Sequence, residues 1–152
     1  MSPLRWIDMP PVWLALALGV AWRLGQWRPF NLSFGGDWIG LPGGLLVGAG
    51  LVLMLLAVVE MRKQRTTVIP HMEADRLVQS GIFKRTRNPI YLGDTLVLAG
   101  LILYWDVPIA LPLIPVFVWI LERRFILPEE KRLRRKFRQD FHRYTEKTRR
   151  WI

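Results

Sequence analysis

The sequence predicts an all-α integral membrane protein with about four transmembrane helices and a C-terminal basic amphipathic helix. Three observations predict it. An uncharged run of 22 residues lies between Asp37 and Glu60, and a bilayer core of roughly 30 Å needs about 20 apolar residues of helix. Apolar residues make up 51% of the 152 and eight residues are tryptophan, and a soluble basic domain could match the charge but would not normally carry so long an unbroken uncharged run. The net charge of +10 is gathered in blocks that alternate along the chain, as the bias of Lys and Arg toward cytoplasmic loops produces.

The first apolar segment runs roughly from Met9 to Trp27, and Arg23 near its far end can snorkel to the interface. A cleavable signal peptide is the alternative for such a stretch. No small-residue cleavage site follows, and Trp22, Trp27 and Trp38 read as an interfacial aromatic belt. The second segment, Trp38 to Val59, is rich in glycine at its start (Gly40, Gly43, Gly44, Gly48, Gly50), which suits close helix packing. The third runs about Pro89 to Trp105 and the fourth about Val107 to Leu121, with Asp106 and Pro108 turning one into the other as a tight helical hairpin.

Residues 61–88 hold seven basic residues against Glu73 and Asp75, and residues 122–152 hold twelve against five acids. The opposite loops carry only Arg23 and Arg28. Both termini and the 61–88 loop are therefore expected in the cytoplasm. In the last block Leu133, Phe137, Phe141 and Tyr144 recur at spacings of four, four and three, one face of a helix that Pro128 opens. Such a helix is expected to lie at the interface or to pack its stripe, rather than to stand solvated.

The absence of cysteine excludes disulfides, thiolate metal sites and a Cys nucleophile, and His71 and His142 are too far apart for a local metal motif. No metal is expected. Nucleic-acid binding by the basic tail is opposed by the alternation of charge and by the membrane-suited stripe among its arginines.

Three places can carry chemistry. Arg87-Asn88-Pro89 ends an extended stretch after the Ser80-Gly81 turn, and Pro89 can open a helix whose N-terminus faces the membrane surface. Such a terminus receives anionic groups, although an ordinary membrane-entry turn would look the same. Glu129-Glu130 follow Pro128, where the helix dipole alone favours acids; functionally, one of them can bind a cationic or hydroxyl-bearing ligand. Asp94 lies one turn beyond Tyr91 inside the third segment, and an intramembrane acid is a functional candidate by default.

Leu77 to Phe83 (LVQSGIF), Arg87 to Gly93 (RNPIYLG), then Glu129-Glu130 with Leu133, Phe137 and Tyr144 closely resemble the isoprenylcysteine carboxyl methyltransferase family and its phospholipid methyltransferase relatives. The closing Arg149-Arg150-Trp151-Ile152 resembles the ending of small bacterial members. The likeness covers about residues 66–152; the first two segments match only in kind. It implies one methyltransferase-like domain over 1–152, with two N-terminal spans in 1–60. Residues 61–152 would then supply the cofactor-binding loop, the helical hairpin and the C-terminal helix.

The resemblance further implies an S-adenosylmethionine-dependent enzyme of the bacterial inner membrane with a cytosol-facing cofactor site. Its acceptor would be lipophilic or membrane-embedded: an isoprenylcysteine-like carboxylate, a phospholipid amine or a small thiol. By position, Arg76, Leu77 and Val78 would give mainly backbone contacts to the cofactor, and Phe83 would line the pocket where the family often has tyrosine. Asn88, Pro89, Ile90 and Tyr91 match the family's His/Asn-Pro-x-Tyr element, and Glu129 matches the cofactor-binding glutamate. Asn88 replaces the histidine of the eukaryotic enzymes. Arg138 stands where a glycine usually follows the phenylalanine of the final helix. Phe125, flanked by Arg123 and Arg124, replaces the arginine that holds a prenyl substrate's carboxylate. Arg124 and Asp94 are accordingly the expected acceptor-side residues. The rival expectation is a non-catalytic membrane protein whose basic blocks bind anionic lipid or a partner.

Overall fold

The computed structural model describes residues 7–65 and 77–152, and among these it is helical with no strand. Helix α1 spans Pro10–Trp27, α2 Gly40–Lys63, α3 Pro89–Tyr104 and α4 Leu113–Leu121. A π turn, Glu122–Ile126, joins α4 to α5, Leu127–Phe137, and α6 covers Gln139–Lys147. Short 3₁₀ turns fill the connections, including Gly81–Lys84 and Pro108–Ala110.

Direction alternates from α1 to α4. At one end Arg28 donates to the carbonyls of Trp105 and Asp106, while Asp106 accepts from the Phe34 N–H at 2.6 Å and from the Ser33 hydroxyl. At the other end Ser80 donates to Glu60, and Arg124 Nε donates to Asp8 at 2.9 Å. The expected tight turn at Asp106 is present, with this residue at φ 57°.

Helix α3 is central, packed by α1, α2 and α4. Its contact with α2 brings backbone against backbone at glycines, with Val47, Met54 and Val97 packed beside them. The buried residues of α2 are Gly43, Gly50 and Ala57, one every seven positions. A Cβ on Gly43 would stand 2.7 Å from the Gly100 carbonyl oxygen, and one on Gly50 2.6 Å from that of Gly93. Of the glycines expected to permit close packing, these two lie at the contact, whereas Gly44 and Gly48 face open space.

On the opposite face of α2, Leu41, Leu45, Leu51, Leu55 and Leu56 are exposed. An apolar helix that shows its leucines outward is built for lipid rather than for a soluble core. The unit Asp37–Lys63 is clearly long and apolar enough to cross a membrane by length and composition. The other apolar helices are shorter: α3 has 16 residues, and α4 has nine before its π turn. Helix α1 has 18 and carries Arg23.

One expectation is corrected. The C-terminal block is two helices, not one, broken at Arg138 with φ 47° and ψ −112°. The apolar stripe keeps its purpose across the break. Leu133, Phe137, Phe141 and Tyr144 all pack with Ala57, Val78 and Phe83 into one cluster beneath the end of α2. The stripe is therefore packed against the protein. A second cluster, with Leu98, Ile102, Phe117, Leu121, Phe125 and Ile126, fills the space between α1, α3 and α4.

Candidate active site

Two elements meet at the end of the bundle where Glu60 and Ser80 lie. The first is the start of α3. Asn88 is non-helical at φ −133°, ψ 62°, and Pro89 is the first helical residue, as the sequence predicts. Proline fits there because its missing N–H would have no intrahelical acceptor. The Asn88 N–H donates to Thr86 Oγ1 at 3.2 Å, which fixes the turn into the helix.

The second element is the acid turn of α5. Pro128 has no N–H, and its ring crowds the carbonyl four residues back. The π turn gives that ring room: the Leu127 N–H donates five residues back, to the Glu122 carbonyl. Helix therefore runs on from α4 into α5, and Glu129 and Glu130 do not sit at a freshly exposed N-terminus. The helix dipole accounts for them less well than the sequence suggests.

The two acids part company. Glu129 turns toward α3 and accepts from the Tyr91 hydroxyl at 3.1 Å. The Tyr91 ring stacks on Phe125, centroids 6.3 Å apart. Burial pushes the Glu129 carboxyl above the ordinary glutamate range, with the Tyr91 hydrogen bond opposing that rise. Glu130 turns the other way, into a fork. Arg150 Nε and Nη2 donate to its two oxygens at 2.9 Å each, and Arg87 Nη1 donates at 3.3 Å. Burial lowers the Arg87 pKa, whereas the hydrogen bond to Glu130 raises that of Arg150.

Residues 148–152 lie along residues 84–88 as a strap. The Arg87 N–H donates to the Arg149 carbonyl at 3.0 Å, and Asn88 Nδ2 donates to the Arg150 carbonyl at 3.0 Å. Thr86 Oγ1 donates to that same carbonyl at 3.3 Å, and Trp151 Nε1 donates to Glu122 at 2.8 Å. Tyr144 anchors the approach by donating to the Phe83 carbonyl at 2.7 Å.

Of the predicted site residues, Tyr91 and Glu129 are joined by a hydrogen bond, and Asn88 and Pro89 precede Tyr91 at the start of the same helix. Leu77, Val78, Phe83 and Ile90 pack in the cluster beneath α2. Arg76 lies outside the described residues. Asp94 is buried one turn beyond Tyr91, and its Oδ2 has no hydrogen-bond partner among the described residues. Arg124 stands apart on the exposed surface, donating to Asp8 with its guanidinium 5.2 Å from the Trp13 ring centre.

Arg150, Thr86 and Glu60 were not singled out by sequence reasoning. The RRWI ending was the one signal that pointed to Arg150, and it carried no role.

A desolvated carboxylate against an aromatic pair suits a cationic, hydrogen-bonding ligand. Among the described residues no group of three His, Asp or Glu is placed to hold a metal ion. The phospholipid methyltransferase family model matches residues 38–140, a stretch that holds Asn88, Tyr91, Glu129 and Glu130. No curated protein and no solved structure matches the chain.

Proposed function

Because this chain belongs to the phospholipid methyltransferase family, we propose that it is a membrane enzyme that methylates a lipophilic acceptor from S-adenosylmethionine. The observation that carries the reading is the Tyr91–Glu129 hydrogen bond, which closes the Asn88-Pro89-Ile90-Tyr91 helix start onto the acid turn. When bound, S-adenosylmethionine supplies an electrophilic methyl group on a sulfonium.

The residues present fit that cation. Glu129 and Asn88 offer acceptors to its ammonium group, and Tyr91, backed by Phe125, offers an aromatic face. Backbone of Leu77 and Val78 and the ring of Phe83 complete the wall in this reading, with Arg76 preceding them in sequence. In-line displacement asks the protein mainly to align donor and acceptor, and a rigid helix start held by two hydrogen-bonded elements does that.

The acceptor enters from the lipid side, toward Asp94. Asp94 Oδ2, without a hydrogen-bond partner among the described residues, favours a group that brings a hydrogen-bond donor, such as an amine or thiol, over a carboxylate. Arg124, held by Asp8 and Trp13, orders α1 against the π turn beside that route.

Four helices cross the membrane in this reading, with residues 1–152 acting as one domain. The basic end, and with it the site, faces the cytoplasm of a bacterial inner membrane. A cysteine placed at Lys84 and labelled from the outer face would overturn the orientation.

The decisive experiment is calorimetric titration of S-adenosylhomocysteine into purified protein, paired with transfer of labelled methyl from S-adenosylmethionine into a lipid extract. Binding at micromolar concentration and a labelled lipid-soluble product are expected. Absence of both favours the rival, a non-catalytic protein that binds anionic lipid through its basic blocks.

A further inference from the structure

We propose that Arg150 is a positioning residue of the site: it locks onto Glu130 so that its own carbonyl dictates which end of the Asn88 amide faces the ligand. The inference rests on the reading of Asn88 and Glu129 as cofactor ligands.

A backbone carbonyl can only accept hydrogen bonds. The Asn88 group 3.0 Å from the Arg150 carbonyl must therefore be its NH₂, and Oδ1 is turned the other way. The chemistry of the partner settles which end is which. Asn88 then keeps its acceptor end for the ligand, and in the cofactor reading that end serves the ammonium group together with Glu129. Released from the strap, the amide would rotate and offer a donor to that ammonium in part of its population, a mismatch that costs affinity.

The side chain of Arg150 is what holds its carbonyl there. Its fork takes both oxygens of Glu130 at 2.9 Å, and Nη1 lies 3.9 Å from Glu122. Trp151 fixes the next residue through its own bond to Glu122. Thr86, two residues before Asn88, donates to the same Arg150 carbonyl and at the same time receives the Asn88 N–H. The strap, the turn and the amide thus form one closed set of bonds. Lysine cannot reproduce the fork, because an ammonium is a point charge without two parallel donors.

A strap that only stabilised the fold would lower the melting temperature and leave ligand affinity in folded protein unchanged. A strap that orients Asn88 makes a different demand: the effects of Arg150 and Asn88 on affinity must overlap. Calorimetric titration of S-adenosylhomocysteine into full-length wild type, Arg150→Ala, Asn88→Ala and the double variant tests it. Each single change is expected to weaken binding about tenfold, and the double variant no more than the weaker single. That overlap is a coupling of about 1.4 kcal/mol.

Arg150→Lys is the milder variant if alanine prevents folding; a loss of about threefold is expected, again masked by Asn88→Ala. Wild-type affinity in folded Arg150 variants overturns the proposal, as do losses that multiply in the double variant. Failure of the wild type itself to bind would instead overturn the cofactor reading beneath it.

Discussion

The backbones of Gly50 and Gly93 meet so closely that a Cβ on either would stand 2.6 Å from the carbonyl oxygen of the other. Backbone on both sides leaves nothing flexible to yield. Gly50→Ala is expected to destabilise the protein by about 1–3 kcal/mol, the usual cost of overpacking. Gly48→Ala, which meets open space, is expected to be neutral or to stabilise by up to about 1 kcal/mol through helix propensity. Thermal unfolding in detergent compares the two; equal melting temperatures would remove the glycine contact as a determinant of the α2–α3 pair.

Glu129 and Glu130 are adjacent and chemically alike, yet they should fail in different ways. Glu129→Gln is expected to weaken S-adenosylhomocysteine binding about ten- to a hundredfold, given roughly 1.5–3 kcal/mol for a hydrogen bond to a charged group. Glu130→Gln removes the anion between Arg87 and Arg150 and should lower the melting temperature more than Glu129→Gln does. Calorimetry and thermal unfolding on both variants must show this crossover. Equal losses of affinity in the two variants would contradict this division, since Glu130 acts on the ligand only through Arg150 and Asn88.

The direction of the Glu129 shift gives a pH dependence. Its carboxyl titrates above the ordinary range in the fold, so in the window between those two values the folded state holds more protons than the unfolded state. Stability contributed at this site therefore falls as pH rises through the window. Cofactor affinity should move the opposite way, rising as the carboxylate ionises. Unfolding and binding followed from pH 4.5 to 8 in wild type and Glu129→Gln check both signs. A binding profile with the same slope in the variant would assign the dependence to another group.

Arg138 occupies φ 47°, ψ −112°, where a Cβ is crowded and glycine is at ease. Backbone strain of this kind costs on the order of 1–3 kcal/mol. Arg138→Gly is expected to recover about 1 kcal/mol of it, since glycine also loses more freedom on folding. The side chain is exposed and in a basic neighbourhood, so little else is lost. A lower melting temperature in the glycine variant would contradict this.

What the sequence made legible was local or periodic. Ser80-Gly81 turns with Gly81 at φ 59°, and Pro89 opens α3, because both depend on the backbone preferences of one or two residues. The alternation of charge gave helix direction. The break at Arg138 was hidden because Leu133, Phe137, Phe141 and Tyr144 keep helical spacing across it, so periodicity reports a single helix. Close packing of α2 was legible in its glycines, but which of them meet α3 was not: Gly43 and Gly50 lie at the contact, whereas Gly44 and Gly48 face open space. The site divided along the same line. Asn88, Tyr91 and Glu129 could be placed by motif, whereas the fork of Arg150 on Glu130 joins positions 20 apart that only the folded chain brings together.

The π turn at Glu122–Ile126 holds one residue more than an ordinary helical turn would need. Successive residues of an α-helix advance by about 100°, so the π turn, by spreading one turn over its surplus residue, keeps α5 in phase with α4. Were the same residues to wind as ordinary helix, α5 would swing by about that angle, carrying Glu129 off Tyr91 and Glu130 off Arg150 together. A deletion there would close an ordinary turn and leave both acids where they are. The alignment of the acid turn with the start of α3 is thus kept by the backbone pattern of one turn rather than by any single residue's identity.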